Sequence, residues 1–178
     1  MKDLFLISNL FSILRIILII PVVYLLIAGE TQIAVIIGVI AAITDFLDGF
    51  FARKLNQITE LGKILDPVAD KLFLGAIALT IMLLDIIPFW FFASIVVRDI
   101  LILLGGLYAR SKMNFVLPSN FEGKLTFVLI SVVIMLILLD YTPAYIYGMY
   151  LSVAAMAYTL ILYTIRMIEE LKKIPQKN

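Results

Sequence analysis

The sequence predicts an all-α polytopic membrane protein with six transmembrane helices and both termini on the cytoplasmic side. Three observations carry this expectation: too much apolar surface for a soluble domain, six apolar stretches of near-spanning length, and a one-sided distribution of cations. Of 178 residues, 63% are hydrophobic and 15% charged, against roughly half and a quarter in soluble domains. The mean hydropathy is +1.12. A soluble domain of this size still exposes about a third of the surface of its unfolded chain, so the surplus apolar surface requires lipid as its solvent. The length suits one domain, residues 1–178.

A span needs about 20 mostly apolar residues. The candidates are 4–28, 33–52, 67–84, 87–107, 125–139 and 143–165. Short connections at 29–32, 85–86 and 140–142 alternate with long polar segments at 53–66, 108–124 and the tail from Arg166, as they must if the short turns share one side. The short turns carry no Lys or Arg and one acid each: Glu30, Asp85 and Asp140. The long segments hold Arg53, Lys54, Lys63, Arg110, Lys112, Lys124, Arg166, Lys172, Lys173 and Lys177. The excess of Lys and Arg on cytoplasmic loops then sets the orientation in the cell membrane. The first stretch is too long for a signal-peptide core and lacks a small-residue cleavage site, so it is read as a retained helix. Trp90 with Phe89, Phe91 and Phe92, and Tyr141, Tyr145, Tyr147 and Tyr150, fall at outer span ends and are expected as interfacial aromatics. Gly75-Ala76 and Gly105-Gly106 are expected where helices pack closely. The tail from Arg166 is expected as a solvated helix end, and no nucleic-acid partner is expected.

The chain has neither cysteine nor histidine. This excludes disulfides, thiol nucleophiles and thiolate metal sites, and removes the commonest general base and transition-metal ligand. Acid–base and metal chemistry must fall to carboxylates, whose oxygen ligands suit hard ions such as Mg²⁺, Ca²⁺ or Mn²⁺.

The carboxylates are concentrated. The second candidate span ends Asp45-Phe-Leu-Asp48-Gly49-Phe-Phe-Ala52-Arg53, which on a helix puts Asp45, Asp48, Gly49 and Ala52 on one face. Eight residues after Arg53, Gly62, Asp66 and Asp70 repeat every four residues. They share one face if helical; Pro67 favours a helix start and disfavours helical geometry at Asp66, but even with Asp66 as N-cap, Asp70 stands about one turn on. An intramembrane acid costs roughly 2.5–3.5 kcal/mol at mid-span and less near the interface, and four together repel one another. Two divalent cations relieve both problems and form a recurring device for in-line displacement at phosphorus. Mg²⁺ commonly completes its shell with phosphate oxygens, so the missing ligand is plausibly a pyrophosphate, and Gly49, Ala52 and Gly62 leave room for it. The bland alternative is an acidic helix end with Asp66 as a cap; it suits each residue alone but not the joint pattern.

Asp45-x-x-Asp48-Gly49-x-x-Ala52-Arg53, eight residues, then Gly62-x-x-x-Asp66-x-x-x-Asp70 resembles the signature of the CDP-alcohol phosphotransferases at every fixed position. The resemblance implies that Asp45, Asp48, Asp66 and Asp70 hold two divalent cations, Mg²⁺ or Mn²⁺. It also implies that Asp70 deprotonates the acceptor hydroxyl, and that Asp48, Gly49, Ala52, Arg53 and Gly62 shape the nucleotide pocket. The donor would be CDP-diacylglycerol or its ether-linked counterpart CDP-archaeol, CMP would leave, and the protein would be a homodimer in the lipid bilayer.

Within the family the chain is most similar to the phosphatidylglycerophosphate synthase and CMP-forming cardiolipin synthase branches, through residues 62–71 and the opening Asn9-Leu10 with Arg15 and Pro21. Glycerol 3-phosphate is the first expectation for the acceptor, and Arg98, Arg110 and Lys124 are candidates to hold its phosphate. Two departures from that branch, Arg98-Asp99 in place of Arg-Glu and a single Lys124 after Gly123, keep phosphatidylglycerol as the alternative. Arg98-Asp99 also reads as an internal neutral pair, and Arg15 as satisfying backbone or headgroup atoms. A cation transporter is a distant third reading, because transporters place their acids at mid-membrane. A non-catalytic assembly factor would need no such cluster.

Overall fold

The computed structural model describes residues 7–54, 62–113, 121–142 and 144–172; within these, the side chains of 7–10, 45–54, 62–65, 110 and 112–113 lie outside the description. The described residues form six helices: α1 (Ile7–Ile27), α2 (Thr31–Lys54), α3 (Gly62–Leu83), α4 (Phe89–Met113), α5 (Phe121–Leu138) and α6 (Ala144–Lys172). The all-helical expectation holds, one helix per candidate span. Three stretches, Phe89–Ala109, Phe121–Leu138 and Ala144–Lys172, are long and apolar enough to cross a membrane, and Phe11–Ile27 and Thr31–Thr44 form shorter apolar helices. Much of the exposed surface is Ile, Leu and Val, for example Ile20, Ile36, Ile43, Leu103 and Leu151. Such a surface is stable against lipid rather than water.

One boundary differs from expectation. Helix α3 begins at Gly62 and runs through Pro67. Proline there forfeits one bond to the carbonyl of residue 63, close to the helix start and at an exposed position, where the loss is most easily made good. Helix α6 continues past the candidate span to Lys172, so the segment from Arg166 begins as the helix end expected there.

The three short turns share one design. At the end of α1, the Gly29 amide donates to the Leu26 carbonyl at 3.2 Å and the Glu30 amide to Leu25 at 2.9 Å. After α3, Asp85 donates to Met82 and Ile86 to Ile81; after α5, Asp140 donates to Ile137 and Tyr141 to Leu136. This pair of reversed bonds is the Schellman cap, which satisfies terminal carbonyls and needs a left-handed residue at its centre. Gly29, Asp85 and Asp140 have φ of 81°, 57° and 51°. Asp85 and Asp140 therefore serve geometry, since Asp tolerates the left-handed region better than most residues.

The helices group into two units, Met1–Ile86 and Ile87–Asn178. In the first, α1 packs on both α2 and α3. Its interior uses Val22 and Leu26 of α1, Ala34 and Ala41 of α2, and Ala69, Leu74, Ile77, Ala78 and Ile81 of α3. The alanines let helices approach closely without a soluble protein's hydrophobic drive. In the second unit α6 packs on α4 and α5. The buried stripe Thr126, Ile130, Val133, Ile134, Ile137 of α5 has its counterpart in Met149, Ser152, Met156 and Thr159 of α6. A Cβ at Gly105 would lie 3.1 Å from Tyr163 Cε1 and one at Gly106 would lie 3.2 Å from its hydroxyl, so this pair does seat a helix contact. Gly75 has open space instead, against expectation. Phe91 is fully buried, so it is a core residue rather than an interfacial one, while Trp90 stacks on Tyr150 at 5.4 Å and Phe89 is exposed.

Two substitutions probe this packing. Asp85→Val should lower stability by about 1–2 kcal/mol, because a β-branched residue resists the left-handed turn, whereas Asp85→Gly should stay within about 1 kcal/mol of the parent; thermal unfolding in detergent reads both. In Gly148→Ala the new Cβ would stand 2.8 Å from Val133 Cγ2. Overpacking of that kind costs about 1–3 kcal/mol, and adding Val133→Ala should recover part of the loss.

Candidate functional site

The residues of the acidic signature lie on α2 and α3 of the first unit. Helix α2 is continuous through Asp45, Asp48, Gly49, Ala52 and Arg53. The backbone that would put Asp45, Asp48, Gly49 and Ala52 on one stripe is therefore present, while these side chains lie outside the described residues. Gly62 is the first residue of α3, and Asp66 and Asp70 follow at one-turn spacing on unbroken helix. Asp66 is thus an interior helical residue and not a cap.

Helix α1 supplies the partners of both α3 acids. The Ser12 hydroxyl donates to Asp66 Oδ1, and the Arg15 guanidinium pairs with Asp70 Oδ1. Ser12 and Arg15 are almost fully buried, at 1% and 5% exposure, while Asp66 and Asp70 are partly open. The two rungs ascend together, 12 to 66 and 15 to 70, so α1 and α3 run parallel. A parallel pair is what alternating spans require of the first and third helices. Sequence reasoning noted Arg15 but assigned it to backbone, headgroup or acceptor, and it overlooked Ser12. The available signal was a buried-type cation and a hydroxyl three residues apart on an apolar helix, which demand polar partners from another helix.

Each α3 carboxylate is therefore oriented through Oδ1, and Oδ2 is the atom through which each could ligate a cation. A donor set of carboxylates, in a chain with no His or Cys, fits hard divalent ions. Second-layer hydrogen bonds to ligating carboxylates are the usual companions of such sites.

A second polar group lies at the start of α5. Arg98 Nη1 of α4 bonds Asp99 Oδ1 at 2.7 Å, in keeping with the neutral pair expected of these neighbours. Arg98 Nη2 would stand 3.7 Å from a Cβ at Gly123, so the guanidinium lies against the first turn of α5. Glu122 Oε1 accepts from Arg166 Nη2 of α6 at 3.3 Å. Arg98 Nε and Glu122 Oε2 are buried with no hydrogen-bond partner among the described residues. Lys124 is exposed one residue beyond Gly123. Arg110 lies twelve residues past Arg98 on the same helix, about 18 Å along its axis, and its side chain is outside the described residues. The structure thus brings Arg98 and the Gly123-Lys124 turn together and sets Arg110 apart; Arg166, from the helix end beyond the last candidate span, joins this neighbourhood through Glu122.

Residues 5–165 match the family model described as CDP-alcohol phosphatidyltransferase. The chain is similar to an Aquifex aeolicus protein named CDP-diacylglycerol–glycerol-3-phosphate 3-phosphatidyltransferase, 35% identical over 70% of this chain and 71% of that one. It is 37% identical to a Bacillus subtilis protein of the same name over 51% of this chain and 46% of the relative. A Drosophila melanogaster protein named probable cardiolipin synthase (CMP-forming) is 33% identical over 58% of this chain and 33% of its own length. The chain spans less than half of these last two relatives. With the family model covering nearly the whole sequence and the acidic helices in place, the chain belongs to the CDP-alcohol phosphatidyltransferase family.

Proposed function

We propose that this protein transfers the phosphatidyl group of CDP-diacylglycerol to the hydroxyl of glycerol 3-phosphate, releasing CMP. The observation that carries the reading is the pair of oriented α3 carboxylates, Asp66 and Asp70, on helices that bear the family's signature. The names of the Aquifex and Bacillus relatives support the acceptor. The cardiolipin synthase names among the relatives keep phosphatidylglycerol as the second reading. The chain is placed in the cell membrane with six spans, its long loops and the reaction on the cytoplasmic side, as a homodimer.

In this proposal Asp45, Asp48, Asp66 and Asp70 hold two divalent cations, Mg²⁺ or Mn²⁺. Bound there, the cations would neutralise the pyrophosphate and the charge that develops at phosphorus. Gly49, Ala52, Arg53 and Gly62 are assigned to the pocket for the cytidine nucleotide and its phosphates. Asp70 accepts the proton of the acceptor hydroxyl as that oxygen bonds to the lipid-side phosphorus; the bond from phosphorus to the CMP oxygen breaks, and CMP carries off the electron pair. Positioning and electrostatic stabilisation supply the rate. Arg98 and Lys124 are assigned to the acceptor phosphate, with Arg110 the least supported of the three. Arg98 Nε has no hydrogen-bond partner among the described residues, which suits a phosphate ligand.

The deciding experiment offers purified protein in detergent CDP-diacylglycerol with Mg²⁺ or Mn²⁺ and, separately, glycerol 3-phosphate, phosphatidylglycerol, inositol 1-phosphate or serine. CMP release and the lipid product are then measured. Metal-dependent release with glycerol 3-phosphate is the expected outcome; release only with phosphatidylglycerol would transfer the protein to the second reading. Asn at Asp45, Asp48, Asp66 or Asp70 should bring turnover to background without loss of the folded protein, and Asp70→Asn should retain CDP-lipid binding better than Asp48→Asn. Full activity in any one of the four would overturn the two-cation assignment.

A further inference from the structure

Hydroxyls on the apolar helices mostly turn back on their own helix. Thr44, Thr80, Ser94, Ser111, Thr126, Ser131, Thr159 and Thr164 each donate to a carbonyl three or four residues earlier. That local bond is the ordinary way to satisfy a hydroxyl in an apolar helix. Ser12 departs from the pattern. It is 1% exposed, and its hydroxyl crosses to a carboxylate oxygen of another helix, 54 residues away in sequence. One turn further along the same pair of helices, the buried Arg15 engages Asp70, which fixes the rotation and register of α1 against α3 and so aims Ser12 at Asp66.

We infer that Ser12 is a positioning residue for the cation site: its hydroxyl holds Asp66 by Oδ1 and presents Oδ2 to a divalent cation, with the Arg15–Asp70 pair seating the contact. The inference rests on the reading of Asp66 as a cation ligand. Its physical basis is general. A carboxylate on a helix can swing among rotamers, and ordering it on ligation costs free energy unless a neighbour has already ordered it. A hydroxyl donor fixed on a neighbouring helix supplies that order. Loss of such an outer-layer partner typically weakens metal binding by about 10–100-fold.

The test uses the full chain in detergent, with Mn²⁺ alone as the probe and free Mn²⁺ followed by electron paramagnetic resonance. Ser12→Val and Ser12→Thr have nearly the same shape and differ by the hydroxyl, so a purely packing role would affect them alike. Ser12→Val should bind Mn²⁺ about tenfold or more weakly, and Ser12→Thr should remain within about threefold of the parent. Ser12→Ala gives the same comparison without added volume and should behave as Ser12→Val does. In turnover, the metal concentration for half-maximal rate should rise in Ser12→Val and Ser12→Ala while kcat at saturating metal largely recovers. Equal Mn²⁺ binding by the Val and Thr variants would sink the inference. Asp66→Asn separates the two levels: Mn²⁺ binding unchanged by that substitution overturns the ligand reading itself, whereas loss there with none in the Ser12 variants overturns only the role of Ser12.

Discussion

A carboxylate on an apolar helix must be matched by a partner, and for the two acids of α3 the described matches come from a different helix. Asp66 and Asp70 of α3 meet Ser12 and Arg15 of α1. The dependence runs both ways. A guanidinium at 5% exposure is tolerable only because an acid stands against it. With two polar rungs at one-turn spacing, α1 can neither rotate nor slide by a turn without stranding a charge, so the rungs set the register that the apolar contacts of Val22, Leu26, Ile77 and Ile81 then fill.

Around that constraint the helices are trimmed and packed by means suited to lipid. Bilayer surroundings give helices no hydrophobic reason to associate, so close approach and satisfied backbone groups carry more of the burden. Alanines line the inner faces of the first unit, and glycines admit Tyr163 and Val133 in the second. The three Schellman caps turn the chain in three to five residues while satisfying the carbonyls that an apolar helix end leaves exposed.

The chemistry assigned to the site asks little of the protein beyond such order. Transfer at phosphorus is accelerated by placing reactants and by fixed charge. A chain without His or Cys could do this if, as proposed, its carboxylates act as both cation ligands and base. The departures at Arg98-Asp99 and Gly123-Lys124 acquire a structural setting: they meet each other at the start of α5, with Glu122 and Arg166 beside them. An acceptor phosphate bound there would encounter an acid as well as cations, a balance that bears on which alcohol is preferred.

The amino-acid sequence by itself determined the helical class, the number of helices and the family. These follow from apolar run lengths and from a signature whose chemistry is local to α2 and α3. Asp66 and Asp70 were legible for the same reason: their spacing is a property of one helix. The left-handed caps were partly legible in Gly29 but hidden in Asp85 and Asp140, where an acid in a short turn was read only for the sidedness of the charges. Pro67 misled about the start of α3, because a helix can absorb one missing bond near its end. Only the tertiary structure decided that Ser12 and Arg15 serve the α3 acids, that Phe91 is core, and that Arg166 reaches Glu122. Each of these depends on which helices pack together and in what register. A run of apolar residues with lipid on its outer side carries no periodic signal to mark which face meets a neighbour.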